Sequence, residues 1–320
     1  MKVLVTGGAG YIGSHAVRSL VEQGHQVVVY DNLSKGHKEA IDKRAEFLQG
    51  DLSDSQKLTD ALRRFHIEAV LHFAAFIEVG ESVKDPGKYY HNNVANTVNL
   101  LNAMAEVQVK KIVFSSTAAT YGNPERTPIV ETEPCAPINP YGRSKWVSEM
   151  IIRDFSAAHG LSFAILRYFN VAGAWPDGHM GEDHQPESHL IPRILQAALQ
   201  KGETVKIFGT DYPTSDGTCV RDYLHVVDLA QAHILALENL EPGTGEVFNL
   251  GSESGFSVRE VISVCEKITG RKLEVIEEAR RPGDPAVLVA SSEKIRKYLK
   301  WERKYPELEK IVGHAWLWHS

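Results

Sequence analysis

Cysteine is scarce in this 320-residue chain: only Cys135, Cys219 and Cys265 occur, far apart and without paired spacing. This usage is typical of proteins that fold in a reducing cytoplasm without structural disulfides. None of the three lies beside an obvious base in the sequence, which disfavours a covalent thiol mechanism. No apolar run approaches the roughly 18 residues of a membrane span, and Met1 leads directly into a predicted strand instead of a signal peptide. We therefore expect a cytoplasmic protein with no membrane partner.

Positive charge is also in deficit, since 35 Lys and Arg face 41 Asp and Glu and give a net charge of −6. Nucleic acids and anionic membranes are bound by clustered Lys and Arg, so we expect neither as a partner. Repeats, low-complexity tracts and long linkers are likewise absent from the sequence. The remaining composition, 43% hydrophobic and 24% charged residues, is ordinary for a globular enzyme of one or two domains.

The chain does contain a glycine-rich turn between two apolar runs, residues 2–6 and 26–30. The glycines of this turn are Gly7, Gly8, Gly10 and Gly13. Without a Cβ in the way, a strand can turn sharply into a helix and leave the first N–H groups of the helix free for a pyrophosphate. Asp31 follows the second run, where a carboxylate accepts hydrogen bonds from adenosine ribose hydroxyls and repels a 2′-phosphate. The pattern predicts an NAD site; a tight turn that binds no ligand is the alternative.

Strand-like and helix-like segments alternate through the first half of the chain. The predicted strands are 2–6, 26–31, 45–48, 69–73, 111–115 and 163–168, and the predicted helices are 11–23, 54–65, 86–107 and 141–159. Such alternation is typical of parallel strands joined by right-handed crossovers, so we predict an α/β protein with a doubly wound (Rossmann) parallel sheet. Ligands of such a sheet lie beyond the carboxyl ends of its strands.

The composition changes after Gly173, because residues 174–188 are dense in Gly, Pro, His and acidic residues and predict a loop. Beyond this loop we predict helices near 190–201, 226–239, 257–269 and 306–318, and short strands near 204–208, 219–224, 246–250 and 272–276. We expect two lobes around one cleft. The first is a Rossmann domain over 1–173 with a return segment near 222–250, and the second is a smaller α+β substrate lobe over 174–320.

Tyr141 and Lys145 form the only Tyr-x-x-x-Lys pattern of the sequence, on the helix predicted after the fifth strand. Their i, i+4 spacing puts the phenol and the ammonium side by side on one helix face. A phenol has an ordinary pKa of about 10, too high for a base at neutral pH, whereas a nearby ammonium and a nicotinamide cation both favour its ionised form. We predict Tyr141 as the base and Lys145 as its partner; a chance pair on a helix surface is the alternative.

Hydroxyl side chains close the fifth predicted strand at Ser115, Ser116 and Thr117. A Ser/Thr cluster after a strand often serves only as a helix cap or a turn. With the Tyr-x-x-x-Lys pair downstream, we predict Thr117 as the catalytic hydroxyl that holds the reacting oxygen of the substrate. Ala118 and Ala119 follow and offer no carboxyl group to protonate a leaving hydroxyl, which disfavours a dehydratase.

Several further segments match the sequence pattern of a known family. Together with the motifs above they are 6–13, 50–52, 79–82, 89–93, 115–122, 141–145, 166–170, 208–223 and 280–284. Across nearly the whole chain they resemble UDP-glucose 4-epimerases, members of the extended short-chain dehydrogenase/reductase family. The resemblance implies an isomerase that interconverts UDP-glucose and UDP-galactose through a 4-keto sugar. It implies that Tyr141 takes the proton of the sugar 4-hydroxyl while hydride passes from C4 to tightly bound NAD and later returns to the other face of the sugar.

The resemblance also assigns residues to the two ligands. Those implied for NAD are Gly7, Gly10, Tyr11, Ile12, Gly13, Asp31, Asn32, Asp51, Leu52, Phe73, Ala74, Ala75, Asn92, Ser115, Tyr141, Lys145 and Phe169. Those implied for the UDP-sugar are Thr117, Tyr141, Asn170, His189, Leu190, Lys206, Ile207, Phe208, Arg221, Arg281, Asp284 and Leu288. Arginine suits the diphosphate of this substrate because its forked N–H donors clamp phosphate oxygens.

The sequence departs from the family pattern at four positions. Ile77 stands where many members have a lysine for the cofactor phosphates, and Thr117 replaces the common serine but keeps the hydroxyl. His189 replaces a common asparagine near the substrate phosphates. Leu288 occupies the position whose bulk decides whether a substituent on C2 of the sugar fits. The alternative substrates are therefore UDP-N-acetylglucosamine and UDP-pentoses.

Two further segments, near 179–184 and 314–319, resemble functional sites but are better explained by a structural role. His179, Glu182, Asp183 and His184 could mimic a metal site, but the interleaved glycines and the lack of helical i, i+4 histidines favour a substrate-side loop, so we expect no metal. At residues 314–319 the sequence predicts an amphipathic helix that packs its tryptophans on the core.

The resemblance implies a homodimer formed through the helices near 88–107 and 141–158. The sequence itself shows only apolar positions on those helices, which suit a core as well as an interface. A catalytically silent NAD-binding sensor is the alternative from a different class. Such a sensor has no use for a base, so the intact Tyr141 and Lys145 pair counts against it.

Overall fold

The structure, a computed structural model, describes residues 1–200, 204–281 and 284–320. Its strands are β1 Lys2–Thr6, β2 Gln26–Asp31, β3 Glu46–Gln49, β4 Ala69–His72, β5 Lys111–Ser115, β6 Ser162–Tyr168, β7 Asn170–Ala172, β8 Thr204–Phe208, β9 Val220–Arg221, β10 Tyr223–His225, β11 Gly245–Leu250, β12 Phe256–Ser257, β13 Glu274–Glu278 and β14 Val287–Leu288. Its α-helices are α1 Tyr11–Glu22, α2 Ser55–Arg64, α3 Val79–Lys84, α4 Pro86–Tyr89, α5 Asn96–Val107, α6 Pro140–His159, α7 Leu190–Leu199, α8 Val226–Glu238, α9 Val258–Thr269, α10 Glu293–Leu299 and α11 Leu308–His319. None of these described helices is long and apolar enough to cross a membrane.

Seven parallel strands form the central sheet, in the order β11-β6-β5-β4-β1-β2-β3. The apolar residues Val3, Leu4 and Val5 at the centre of β1 are all fully buried, which is typical of a strand that is covered by helices on both faces. The strand order reverses between β1 and β4, so a crevice opens at their carboxyl ends. The predicted doubly wound parallel sheet is confirmed.

Helices cover both faces of the sheet because side chains alternate along each strand. Val3 and Val5 lie in one core cluster with residues of α1 and α8, among them Val17 and Leu229. Leu4 points to the opposite face, into a second cluster to which α2, α5 and α6 contribute. The alternation of β1 therefore fixes the positions of helices that carry two of the predicted ligand-binding segments, α1 and α6.

The last strand of the sheet comes from far along the chain. β11 pairs with β6, with Gly245 opposite Phe163 and Leu250 opposite Tyr168. A third core cluster lies away from the sheet and is built by α7, α9 and α11 around Ile194. The division into a Rossmann domain with a return segment and a smaller second lobe stays a prediction.

The helix predicted over 86–107 is confirmed as a continuous helical segment, but its hydrogen bonding is not α-helical throughout. A π-helical turn, Tyr90–Ala95, lies between α4 and α5. Asn93 turns inward within this segment, where its amide bonds the backbone N–H and carbonyl of Phe76 and the hydroxyl of Ser144. The interruption comes from these long-range polar contacts, which hydrophobic periodicity does not contain.

The strand predicted near 219–224 is divided into β9 and β10 by Asp222. This residue is buried, and its carboxylate accepts hydrogen bonds from the backbone N–H groups of two distant loops, at 2.5 and 2.9 Å. The chain therefore changes from one small sheet to another at this point. The helix predicted over 190–201 ends at Leu199, and residue 201 lies outside the described residues.

Candidate active site

The glycine-rich turn joins β1 to α1 at the crevice. Gly7 has a φ of +73°, and a Cβ there would lie 2.5 Å from the backbone nitrogen of Ala74 after β4. A Cβ on Gly13 would lie 2.1 Å from the carbonyl oxygen of Gly7. Gly10 differs, because its Cβ would meet only that carbonyl oxygen, at 3.4 Å, and no side chain caps α1 there. The start of α1 therefore combines room with uncapped N–H groups, which is the cradle that a pyrophosphate requires.

Asp31 ends β2 beside this turn and orders two loops. Its carboxylate accepts hydrogen bonds from one backbone N–H of the glycine-rich turn and one of the loop after β2, at 3.0 and 2.8 Å. A carboxylate retains further lone pairs, so it can still accept hydrogen bonds from ribose hydroxyls. Asn32 donates to Asp51 at 2.6 Å, which brings two more predicted NAD residues together. The side chain of Leu52, in contrast, lies in the core, so only its backbone is available to a ligand.

We expect Gly13→Ala to destabilise the protein and to weaken NAD binding at least tenfold. The added Cβ cannot lie 2.1 Å from the Gly7 carbonyl oxygen, so the turn must shift away from the geometry that presents the N–H groups. Thermal unfolding and NAD titration by calorimetry measure the two effects. Gly313→Ala in α11 is the matched control, since its Cβ would meet no atom within 4 Å. This control is expected to add about 0.5–1 kcal/mol to the free energy of unfolding and to leave NAD affinity unchanged.

The first turn of α6 brings Tyr141 against the end of β5. Asn139 caps the helix by accepting a hydrogen bond from the Gly142 N–H at 2.8 Å. Because Gly142 has no Cβ, the helix packs directly on the loop after β5; a Cβ there would lie 2.6 Å from the carbonyl oxygen of Ala119. This close approach brings Tyr141 near Thr117, whose hydroxyl oxygen accepts a hydrogen bond from the Ala119 N–H at 3.1 Å. Both side chains are buried.

Lys145 lies one turn further along the same face of α6. Its Nζ donates to the carbonyl oxygen of Ser115 at 2.7 Å and stands 4.7 Å from the centre of the Phe114 ring. The structure thus brings Tyr141, Lys145 and Thr117 together at the carboxyl end of β5, next to the crevice.

Burial dominates the electrostatics of this group. It raises the pKa of Tyr141 to about 12, and the hydrogen bond from Thr117 opposes the shift. Burial lowers the pKa of Lys145 to about 7, and the carboxylate of Glu149 opposes that shift. The pKa of the phenol is therefore raised in the free protein, because desolvation is the largest contribution. A second positive charge close to the phenol is needed to make Tyr141 a base near neutral pH.

A buried ion pair between Glu149 and Arg167 lies next to Lys145. It was not predicted from the sequence. Glu149 is fully buried and accepts two hydrogen bonds from the guanidinium of Arg167, at 3.0 and 2.5 Å. The Ser116 hydroxyl donates a third at 2.5 Å. Glu149 follows Lys145 by four residues, so the extended spacing Tyr141, Lys145, Glu149 was the available signal.

The predicted substrate residues gather beside the small sheets of the second lobe. The guanidinium of Arg221 is paired with the carboxylate of Asp284, and Leu288 lies opposite Arg221 in the pairing of β14 with β9. The Asn170 amide donates to the backbone carbonyl of Asp222 at 3.1 Å. Two residues of the predicted segment 280–284, 282 and 283, lie outside the described residues.

The β8 segment offers one face to the predicted uracil site. The guanidinium of Arg281 lies 3.8 Å from the centre of the Phe208 ring. Lys206 is on the same side of the strand and pairs with Glu278 at 3.0 Å. Ile207 points the other way and is 1% exposed in the core of the second lobe. Only the backbone of Ile207 is therefore available to a ligand at the predicted uracil site.

Three predicted cofactor side chains already have protein partners. The Phe73 ring lies 4.6 Å from the ring of His233, measured between centres. The Ser115 hydroxyl shares a hydrogen bond with that of Tyr168. Phe169 packs beside Leu288 against a small buried cluster. Their positions at the ends of β4, β5 and β6 place all of them at the crevice edge of the sheet.

Comparisons of the sequence and of the structure with known proteins both find epimerases. The profile of the NAD dependent epimerase/dehydratase family matches residues 3–251. The chain is 56% identical to the UDP-glucose 4-epimerase of Halalkalibacterium halodurans, over 100% of this chain and 96% of that protein. It resembles a crystal structure of UDP-glucose 4-epimerase from Bifidobacterium longum in complex with NAD+ and UDP, with a TM-score of 0.95 and 37% identity over 100% and 98% of the two chains. The UDP-Glc/GlcNAc 4-epimerase of Campylobacter jejuni is also similar, with a TM-score of 0.88 and 46% identity over 99% and 98%.

Proposed function

Since the chain belongs to the NAD dependent epimerase/dehydratase family, we propose that it is an isomerase that interconverts UDP-glucose and UDP-galactose with NAD as its bound cofactor. The observation that carries this proposal is that Tyr141, Thr117 and Lys145 are all buried together at the carboxyl end of β5, at the crevice where the strand order reverses. A base and a hydroxyl at that place suit proton transfer to and from a sugar hydroxyl.

The chain's own residues fit NAD. The uncapped start of α1 and the missing Cβ of Gly10 suit the pyrophosphate, and Asp31 suits the adenosine ribose. When bound, NAD supplies the ring that accepts a hydride from sugar C4 and returns it to the resulting 4-keto sugar. Tyr141 takes and returns the proton of the 4-hydroxyl, and Thr117 holds the same oxygen. Lys145 is held beside this pair by its hydrogen bond to the Ser115 carbonyl oxygen.

The second lobe holds the UDP portion in this proposal. Arg221 and Arg281 supply forked donors for the diphosphate, and Asp284 accepts hydrogen bonds from the uridine ribose. Phe208 and the backbone of β8 lie where the uracil is expected. The present pairing of Arg221 with Asp284 keeps both side chains at the site.

An epimerisation assay tests the activity directly. Purified protein with NAD and UDP-glucose, without added reductant, is expected to produce UDP-galactose, and the reverse reaction is expected from UDP-galactose. The products are separated by anion-exchange chromatography. If every UDP-sugar supplied with NAD stays unchanged, the proposed function is wrong and a non-catalytic NAD sensor becomes the better interpretation.

UDP-N-acetylglucosamine is the second candidate substrate. The size of the side chain at position 288 decides whether a C2 substituent fits, and leucine is neither the largest nor the smallest residue that the family uses there. Leu288 packs against the cluster of Ala118, Tyr121 and Ile129 beside the catalytic group. We expect Leu288→Ala to raise kcat/KM for UDP-N-acetylglucosamine relative to UDP-glucose about tenfold, since a bulkier C2 substituent gains room. Leu288→Phe is the matched control and is expected to change the ratio in the opposite direction. If both variants have the same ratio of kcat/KM for the two substrates, Leu288 does not determine substrate selectivity.

We also propose a homodimer and a cytoplasmic location. Large apolar side chains remain exposed on the surface formed by α3, the π segment and α6, where Val83, Tyr90 and Met150 are 62%, 38% and 39% exposed. Such a patch on helices is typical of a subunit interface. Light scattering after gel filtration measures the mass, and Met150→Lys is expected to shift the protein toward the monomer.

A further inference from the structure

The loop between β7 and α7 brings together two glutamates and two histidines, both of which are common metal ligands. They are Glu182, His184, Glu187 and His189, and their ligand atoms all lie within 4.8 Å of one another. The grouping differs from the one visible in the sequence, since the structure brings in Glu187 and His189 instead of His179 and Asp183. We call these four residues the loop cluster.

The distances in the loop cluster suit a tetrahedral ion. His189 Nδ1 lies 2.5 Å and His184 Nδ1 3.1 Å from the same Glu182 oxygen. The two carboxylate oxygens of Glu187 lie 3.7 and 3.9 Å from these imidazole nitrogens. Ligand atoms about 2 Å from a tetrahedral zinc ion lie about 3.3 Å from one another, so small adjustments convert the cluster into a coordination shell.

The charge of the loop cluster also calls for a cation. The side chains of Glu182 and Glu187 are only 3% and 5% exposed. Within residues 1–200, 204–281 and 284–320, the two histidines are the only basic groups within ion-pair distance of either carboxylate. Two buried carboxylates at one place need positive charge beside them. Protonated imidazoles can supply it, and so can a divalent ion that uses the neutral imidazoles as ligands.

Contacts on both sides hold the loop in place. The Trp318 indole of α11 donates to the carbonyl oxygen of Glu182 at 2.9 Å. His37 contacts the carbonyl oxygen of Asp183 at 3.2 Å. The His184 ring meets the Tyr11 ring edge-on at 6.4 Å between centres. The loop is thus fixed between α1 of the first lobe and α11 of the second, and the 40% exposed side chain of His189 leaves one side open to solvent.

We propose that the loop cluster binds one divalent transition-metal ion of the zinc type. Two imidazole nitrogens and two carboxylates are a typical zinc ligand set, whereas calcium and magnesium prefer oxygen ligands alone. The bound ion ties the loop to the start of α7, where His189 immediately precedes the helix. Its role is to fix the junction of the two lobes, and it takes no part in the proposed proton transfer.

Zinc binding to the full-length protein tests this proposal independently of epimerase activity. Protein dialysed against a chelator and then against metal-free buffer is titrated with Zn²⁺ by calorimetry, with metal content measured after gel filtration. We expect one ion per chain and a higher Tm with zinc than without it. Glu187→Gln and His184→Ala are each expected to weaken binding at least tenfold and to abolish the rise in Tm.

His179→Ala is the matched control, because this histidine lies in the same loop but outside the loop cluster; it is expected to bind zinc like the parent chain. Co²⁺ supplies a second readout through its visible absorption, which reports tetrahedral coordination in any variant that remains folded. The proposal is overturned if the parent protein takes up no zinc. It is equally overturned if Glu187→Gln and His184→Ala both retain parental affinity, since the ion would then belong to other histidines.

Discussion

Tyr141→Phe is expected to lower kcat about 10²–10⁴-fold with little change in the affinity for UDP. The variant keeps the ring and loses only the hydroxyl that contacts Thr117, so packing at the start of α6 persists. Because burial raises the pKa of this phenol to about 12, we expect the hydroxyl to act as a base only when positive charge is added beside it. Steady-state kinetics and UDP calorimetry measure the two quantities.

Tyr89→Phe is the matched control for that experiment. The Tyr89 ring lies edge-on to the Tyr141 ring at 6.5 Å between centres, but its hydroxyl donates to the carbonyl oxygen of Glu78 at 2.7 Å. Loss of this hydroxyl is expected to change kcat only a few-fold. A Tyr141→Phe protein that turns over at the parental rate would show that another group carries the proton.

Glu149→Gln is expected to lower the free energy of unfolding by about 3–5 kcal/mol, because it leaves the buried guanidinium of Arg167 without its charged partner. It is also expected to move the alkaline limb of the activity profile to lower pH. Glu149 opposes the lowering of the pKa of Lys145, so without its carboxylate the ammonium loses its proton at a lower pH. Urea unfolding measures the stability, and kcat measured between pH 6 and pH 9, a range that spans the Lys145 pKa of about 7, measures the shift of the profile.

Two controls separate stability from catalysis. Ser116→Ala removes one hydrogen bond to Glu149 and leaves the charge pair intact, so a loss of only about 1 kcal/mol and no shift of the pH profile are expected. Replacing both Glu149 and Arg167 by methionine removes the pair together and is expected to restore much of the stability but not the pH profile. An unshifted alkaline limb in a folded Glu149→Gln protein would contradict the positioning role of Glu149.

Most of the fold was predicted from patterns of residues that lie close together in the sequence. The bounds of β1, α1 and β2 follow from a strand period, a glycine turn and a second strand, all within 31 residues. Long elements with strong apolar periodicity were predicted to within a residue or two. The sequence did not show two details that depend on contacts with distant segments: the π turn at Asn93 and the break between β9 and β10 at Asp222.

Residues close together in the chain were enough to predict the doubly wound sheet, the glycine turn of the cofactor crevice and the spacing between Tyr141 and Lys145. The desolvation of those groups, the ion pair next to Lys145 and the meeting of four side chains in the 182–189 loop became visible only in the folded protein. Burial and charge pairing depend on segments far apart in sequence, such as α6 with β6. Spacing along one helix can place two groups together, but the surrounding protein sets their protonation.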